Sequence, residues 1–154
     1  MLTEFIYIDR DDYEKLEEFD KRAFSAADRY DLERWLEKNY ECWLMLLNGQ
    51  TIGYCAFLNE CDIEPYNKMD DVLYIISTAI LPEFQRQGWG TVLKAWEIAY
   101  ARRNMYKLMV TGCRKSNTAM INLNLRFGFQ YAFEISDYYS DPVESAVILS
   151  LKVK

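Results

Sequence analysis

A nine-residue apolar run, VLYIISTAI at 72–80, leads through Leu81-Pro82 into Gln85-x-x-Gly88-x-Gly90. No other feature constrains the chain as much. The run is rich in β-branched residues and long enough for a central strand buried on both faces. After the glycines, Val92, Leu93, Trp96 and Tyr100 recur at helical spacing, which predicts a helix to about Arg103. A helix start leaves backbone N–H groups without intrahelical partners, and the helix dipole makes that end positive. Phosphates bind such ends. Glycines give positive φ and close approach, so residues 85–91 can present a nest of N–H donors, with Arg86 adding charge. Two glycines alone would make only a tight turn. Strand, proline, Gln-x-x-Gly-x-Gly and amphipathic helix together point to an anion site. The Walker pattern is absent, and the dinucleotide fingerprint needs a third glycine.

The remaining periodicities predict a mixed α/β sheet. Residues 3–8 read as a strand, and 12–24 as a helix with Tyr13, Leu16, Phe19 and Ala23 on one stripe. Residues 27–38 read as a second helix. Strands at 42–47 and 51–58 flank Asn48-Gly49, a type I′ hairpin signal. An acidic loop spans 60–71. After the long helix come a strand at 107–111 and a helix at 117–127, closed by Gly128 in a left-handed cap. Strands at 129–138 and 144–152 complete the pattern.

Length and composition narrow the classes. One domain, 1–154, fits the chain length. Apolar residues at 51% exclude a disordered chain. A net charge of −6 argues against nucleic acid and for either a cationic partner or an ordinary solvated surface. No apolar run reaches the ~20 residues that span a bilayer, so no membrane partner is expected. The first twenty residues lack a signal-peptide pattern, and a cytoplasmic protein is expected. With no histidine, neither a His-containing zinc site nor a Cys-His nucleophile can be built; no metal is expected. Cys42 and Cys55 fall in apolar runs and read as core thiols, and Cys113 has no partner that would make it a nucleophile.

The stretch ILPEFQRQGWGTVLKAWEIAYA resembles the acetyl-CoA-binding motif of the GCN5-related N-acetyltransferases, whose pattern is [Q/R]-x-x-G-x-[G/A] after a strand and a proline-containing turn. NTAMINLNLRFGF at 117–129 resembles that family's second signature, an Asn-started helix ending in Gly-Phe. The order of elements is similar over nearly the whole chain. The resemblance implies the acyl-CoA N-acyltransferase fold: a mostly antiparallel central sheet flanked by helices, with strands 72–80 and 107–111 splayed. It implies acetyl-CoA as co-substrate, its pyrophosphate held by the N–H groups of Gln85, Arg86, Gln87, Gly88, Trp89, Gly90 and Thr91. Ala79 and Ile80 would lie beside the pantetheine, with Asn117 and Asn124 also at the cofactor.

The implied reaction is acetyl transfer to a primary amine by direct attack in a ternary complex. Only the unprotonated amine attacks, so a base is needed, and an acid can serve the departing thiolate. Many family members place a tyrosine in the second-signature helix as that acid; the matching residue here is Asn124, which can hydrogen-bond but not donate a proton usefully. Tyr131, Tyr138 and Tyr139 are nearby substitutes that also read as packing residues. Strand 72–80 carries no carboxylate, so Asp71 or Asp70 at its start, or Glu60, Asp62 and Glu64 before it, are the base candidates beside a plain solvated loop. The acceptor is expected to be a small-molecule or peptide amine, with homodimerisation open. The rival expectation is a catalytically silent acyl-CoA-binding module of the same fold.

Overall fold

The computed structural model describes residues 2–153. Seven strands hydrogen-bond in the order β1-β2-β3-β4-β5-β7-β6, with helices around them. The chain forms two compact units, one holding residues up to Phe57 with Ser77–Gly90, the other Leu58–Ile76 with Thr91 onward. Strand β4 (Val72–Ile80) contributes its first five residues to the second unit and its last four to the first.

In the first unit, β1 (Thr3–Ile8), β2 (Glu41–Leu47) and β3 (Gln50–Leu58) form an antiparallel meander. Asn48 and Gly49 turn it with φ of 49° and 82°, as the Asn-Gly pair predicts. Leu2 and Asn48 bind each other twice, Asn48 N–H to Leu2 O at 2.9 Å and Leu2 N–H to Asn48 Oδ1 at 3.1 Å. Helix α1 (Tyr13–Ala23) buries Tyr13, Leu16 and Phe19. The helix expected at 27–38 is shorter. Asp31 accepts from the Arg34 N–H at 2.7 Å, and this cap starts α2 at Leu32–Lys38; Asn39 ends it in the left-handed region. Trp35 is fully buried and sits edge-on to Tyr13, Tyr30, Tyr40 and Tyr54. Such ring pairs add to the area they bury.

In the second unit, β4 pairs in parallel with β5 (Leu108–Arg114) from Val72↔Leu108 to Ile75↔Thr111. Among the described residues the register ends there, while β4 runs on to Ile80. Strand β5 starts one residue later and ends three residues later than its apolar run predicts. Gly112, Cys113 and Arg114 pair antiparallel with Ile148, Val147 and Ala146 of β7 (Glu144–Lys152), and that partner, not the local pattern, sets its end. Strand β6 (Gln130–Tyr139) pairs with β7 at the edge. Helix α3 spans Trp89–Arg103 and α4 Thr118–Arg126, after which Gly128 has φ of 96°. The acidic loop is anchored by its apolar members: Cys61, Ile63 and Tyr66 are buried with Val72, Val110, Ala146 and Ile148, and Tyr66 stacks on Phe133.

The buried stripe of α3 differs from expectation. Leu93 and Tyr100 are buried as read, but Val92 faces solvent, and Lys94 and Glu97 are fully buried instead. These two charges are tolerated because Lys94 Nζ lies 3.1 Å from Glu97 Oε1 and over the Phe129 ring at 5.4 Å. All four cysteines are buried, and none forms a disulfide among the described residues.

Candidate functional site

The site begins where β4 ends. Ala79 and Ile80 are buried, and Leu81 N–H bonds Ile52 O at 2.8 Å. Gly53 of β3 lets this end come close: a Cβ there would stand 2.7 Å from Ile80 Cδ1 and 3.0 Å from Ala79 O. Past β4 the chain makes one 3₁₀ turn at Pro82–Phe84, started by a proline whose fixed φ suits it. Gln85 is extended; its side chain returns to Ile80 O at 2.9 Å, and its N–H turns back to Pro82 O at 3.3 Å. Arg86 has φ of 63° and Gly88 φ of 90°. Gln87 Nε2 bonds Glu83 O at 3.2 Å, and Arg22 bonds Glu83 Oε1 at 2.9 Å.

Alternating signs of φ turn successive N–H groups to one side, the geometry of an anion nest. Gln85, Arg86, Gln87 and Gly88 are exposed, and a Cβ on Gly88 would meet nothing within 4 Å. Trp89 and Gly90 open α3, where the first N–H groups have no intrahelical acceptor. The indole Nε1 of Trp89 is buried without a hydrogen-bond partner. Thr91 is exposed on the first turn.

In the second unit, Asn117 caps α4: its Oδ1 accepts from Met120 N–H at 3.2 Å. Asn124 is fully buried, and neither its Oδ1 nor its Nδ2 has a partner among the described residues. Leaving a buried amide unpaired costs about 1–3 kcal/mol per group. Tyr131 and Asp71, two other sequence-derived candidates, are engaged at the surface. Tyr131 is exposed and donates to Glu134 Oε2 at 2.8 Å, and that bond raises its pKa. Asp71 has φ of 58° and accepts Lys107 N–H at 2.8 Å on its backbone carbonyl, while its side chain pairs with Lys107 at 3.6 Å. It lies at the end of β4 opposite Ala79. Burial pushes the Cys113 thiol up to about 11, with Lys94 acting against it.

Asp62, Ile63, Glu64, Phe133, Ile135 and Tyr138 line a cavity of about 350 Å³ in the second unit. Among the described residues, no cluster of three or more His, Cys, Asp or Glu could hold a metal, and no helix is long and apolar enough to cross a membrane.

Sequence reasoning missed one buried polar network. Asp20 on α1 is fully buried. Its Oδ1 accepts from Tyr54 Oη at 2.7 Å, its Oδ2 accepts from Tyr30 N–H at 2.6 Å, and Tyr54 Oη lies 2.6 Å from Ser77 Oγ on β4. The signal was present: Asp20 sits seven residues after Tyr13 and four after Leu16, on the apolar stripe itself.

The end of β4, a proline turn and a loop with positive φ at Arg86 and Gly88 thus lead into the start of α3 in a mixed α/β protein. The sequence matches the Acetyltransferase (GNAT) family over residues 3–129, and the chain belongs to that family. It is thereby an acetyl-CoA-dependent acyltransferase, with acetyl-CoA as its cofactor. The fold is similar to that of the ribosomal-protein-S18-alanine N-acetyltransferase of Escherichia coli (TM-score 0.82, 21% identity, covering 99% of this chain and 95% of that one). It is similar to an acetyltransferase of Salmonella typhimurium with its cofactor acetyl-CoA (TM-score 0.76, 21% identity, 99% and 94% covered). It is also similar to the ribosomal-protein-alanine N-acetyltransferase of Brucella melitensis (TM-score 0.76, 18% identity, 99% and 100% covered). No curated protein matches by sequence.

Proposed function

We propose that residues 1–154 act as one cytoplasmic N-acetyltransferase domain that moves an acetyl group from acetyl-CoA to a primary amine by direct attack in a ternary complex. The observation that carries this reading is the loop 85–90, with its positive φ at Arg86 and Gly88 at the start of α3. Acetyl-CoA, when bound, supplies the acetyl group as a thioester. The N–H groups from Arg86 through Thr91 hold its pyrophosphate, and the exposed Arg86 side chain adds charge. The Gln85 to Ile80 bond fixes the loop to the end of β4, whose Ala79 and Ile80 flank the pantetheine. In the second unit, Asn117 and the Asn124 amide are the residues assigned to the cofactor. Tyr131 and Asp71 are held in surface pairs, which favours Asn124 for positioning the thioester sulfur or a water.

The acceptor is an amine of a small molecule or peptide. Two structures of similar fold belong to enzymes named for alanine of ribosomal proteins, so a peptide with N-terminal alanine is the first acceptor to try.

Thermal unfolding with and without acetyl-CoA tests the reading, beside Gly88→Asp. Ligand at ~100 times its Kd stabilises by about 2.7 kcal/mol, a melting shift of about 5–10 °C at this length. A wild-type shift absent from the variant supports the site. No shift at millimolar acetyl-CoA overturns the reading.

A further inference from the structure

We propose that Ser77, Tyr54 and Asp20 form a proton relay that takes the proton from the acceptor amine and stores it on the buried Asp20 carboxylate. The inference rests on the acetyltransferase reading and supplies the base that strand β4 lacks.

The direction of the hydrogen bonds carries the argument. Tyr54 has one hydroxyl proton, and it points at Asp20 Oδ1 at 2.7 Å. In the 2.6 Å contact with Ser77, Tyr54 Oη must therefore accept, and Ser77 Oγ must donate. The Ser77 lone pairs are then left as acceptors at the outer end of the chain. Ser77 is half-buried, whereas Tyr54 and Asp20 are fully buried. Ser77 and Ala79 are two residues apart on one strand, so they share a face about 7 Å apart. A carboxylate sealed inside the unit thus has a hydroxyl outlet on the strand whose end is assigned to the pantetheine.

The step balances. An N–H bond of the ammonium breaks as an O–H bond forms at Ser77. The original Ser77 proton passes to Tyr54, and the original Tyr54 proton passes to Asp20 Oδ1. The amine gains its lone pair, and Asp20 becomes neutral. Burial raises the Asp20 pKa; the bonds from Tyr54 and Tyr30 and the charge of Arg29 lower it, and Asp28 raises it. The net upward shift makes Asp20 a stronger proton acceptor than an ordinary surface carboxylate. Tyr30 N–H keeps Oδ2 occupied, so Oδ1 is the receiving atom.

The test has two arms. With acetyl-CoA and an alanine-terminated tripeptide or spermidine as acceptor, Tyr54→Phe and Ser77→Ala each lower kcat/KM about 100-fold, within the range of general base catalysis. Both variants keep the melting shift with acetyl-CoA, and Ser77→Thr, which retains the hydroxyl, restores most of the rate. The wild-type rate falls as pH drops through the Asp20 pKa, and Tyr54→Phe loses that limb. Tyr54→Phe keeps the ring contacts with Phe19 and Trp35, so it should fold, and it is preferred to Asp20→Asn. In the second arm, ¹³C-carboxyl titration of Asp20 needs no acceptor and decides alone if neither probe is turned over. Titration above the ordinary aspartate range, altered by Tyr54→Phe, supports the relay. Titration at or below that range, or wild-type kcat/KM in both variants, overturns it. Loss of the wild-type acetyl-CoA shift would instead overturn the underlying function.

Discussion

Gln85 Nε2 donates to Ile80 O at 2.9 Å, five residues back across the turn that separates strand from nest. The bond joins the loop to the end of β4. A hydrogen bond of this kind contributes about 0.5–1.5 kcal/mol. Gln85→Leu should therefore weaken acetyl-CoA binding about 2- to 10-fold while changing the melting temperature of the free protein little. Calorimetric titration of acetyl-CoA checks this.

Gly53 and Gly88 should fail differently. At Gly53 an added Cβ meets Ile80 Cδ1 at 2.7 Å and the backbone oxygen of Ala79 at 3.0 Å. Gly53→Ala should cost about 1–3 kcal/mol by overpacking and shift the backbone at Ala79, lowering kcat. Gly88→Ala meets no atom within 4 Å, but its φ of 90° costs about 1–2 kcal/mol of strain. Urea unfolding gives both stabilities.

Lys94 and Glu97 are fully buried, and their 3.1 Å approach is an ion-pair contact in which Oε1 lacks hydrogen-bond geometry. Lys94→Met or Glu97→Met alone should cost about 3–5 kcal/mol, because each removes one half of the buried ion pair and leaves the other charge in the interior. The double variant Lys94→Met, Glu97→Met should recover most of that loss. A double-mutant cycle in urea measures it.

The Glu144 carboxyl is held below the usual range by Ser116, whose N–H bonds Oε2 at 2.5 Å, with Arg114 Nη1 at 3.3 Å from Oε1. A depressed folded pKa contributes stability above the unfolded value and loses it as pH falls through the folded one. Glu144→Gln should therefore be less stable than wild type near neutral pH, with the gap closing in acid. Asp20 has the opposite sign: its raised pKa favours the folded state at low pH, and that contribution disappears as pH rises through it. Urea midpoints across pH for both proteins test the Glu144 gap.

What was legible in the sequence depended on whether the cause was local. β4 and β7 fall where their apolar runs place them, at Val72–Ile80 and Glu144–Lys152, because burial on both faces writes itself as a continuous run. The Asn48-Gly49 turn and the Gly128 cap were legible because only residues tolerant of positive φ serve there. Gly112 to Arg114 were missed in β5 because β7 holds them, and a partner strand leaves no trace in the segment it pairs. Lys94 and Glu97 were misread for a related reason: periodicity treats a charge as a surface mark, whereas each neutralises the other in the interior. Asn124 was found as a matching position, but its burial without partners could be seen only in three dimensions.

The paired bonds between Leu2 and Asn48, 46 positions apart in sequence, close the chain between them into a ring tied at a hairpin tip. A reporter group at Leu2 would thus sense the melting of the whole first meander, and the Leu2–Asn48 tie offers a convenient place to follow that unit spectroscopically while leaving the nest untouched.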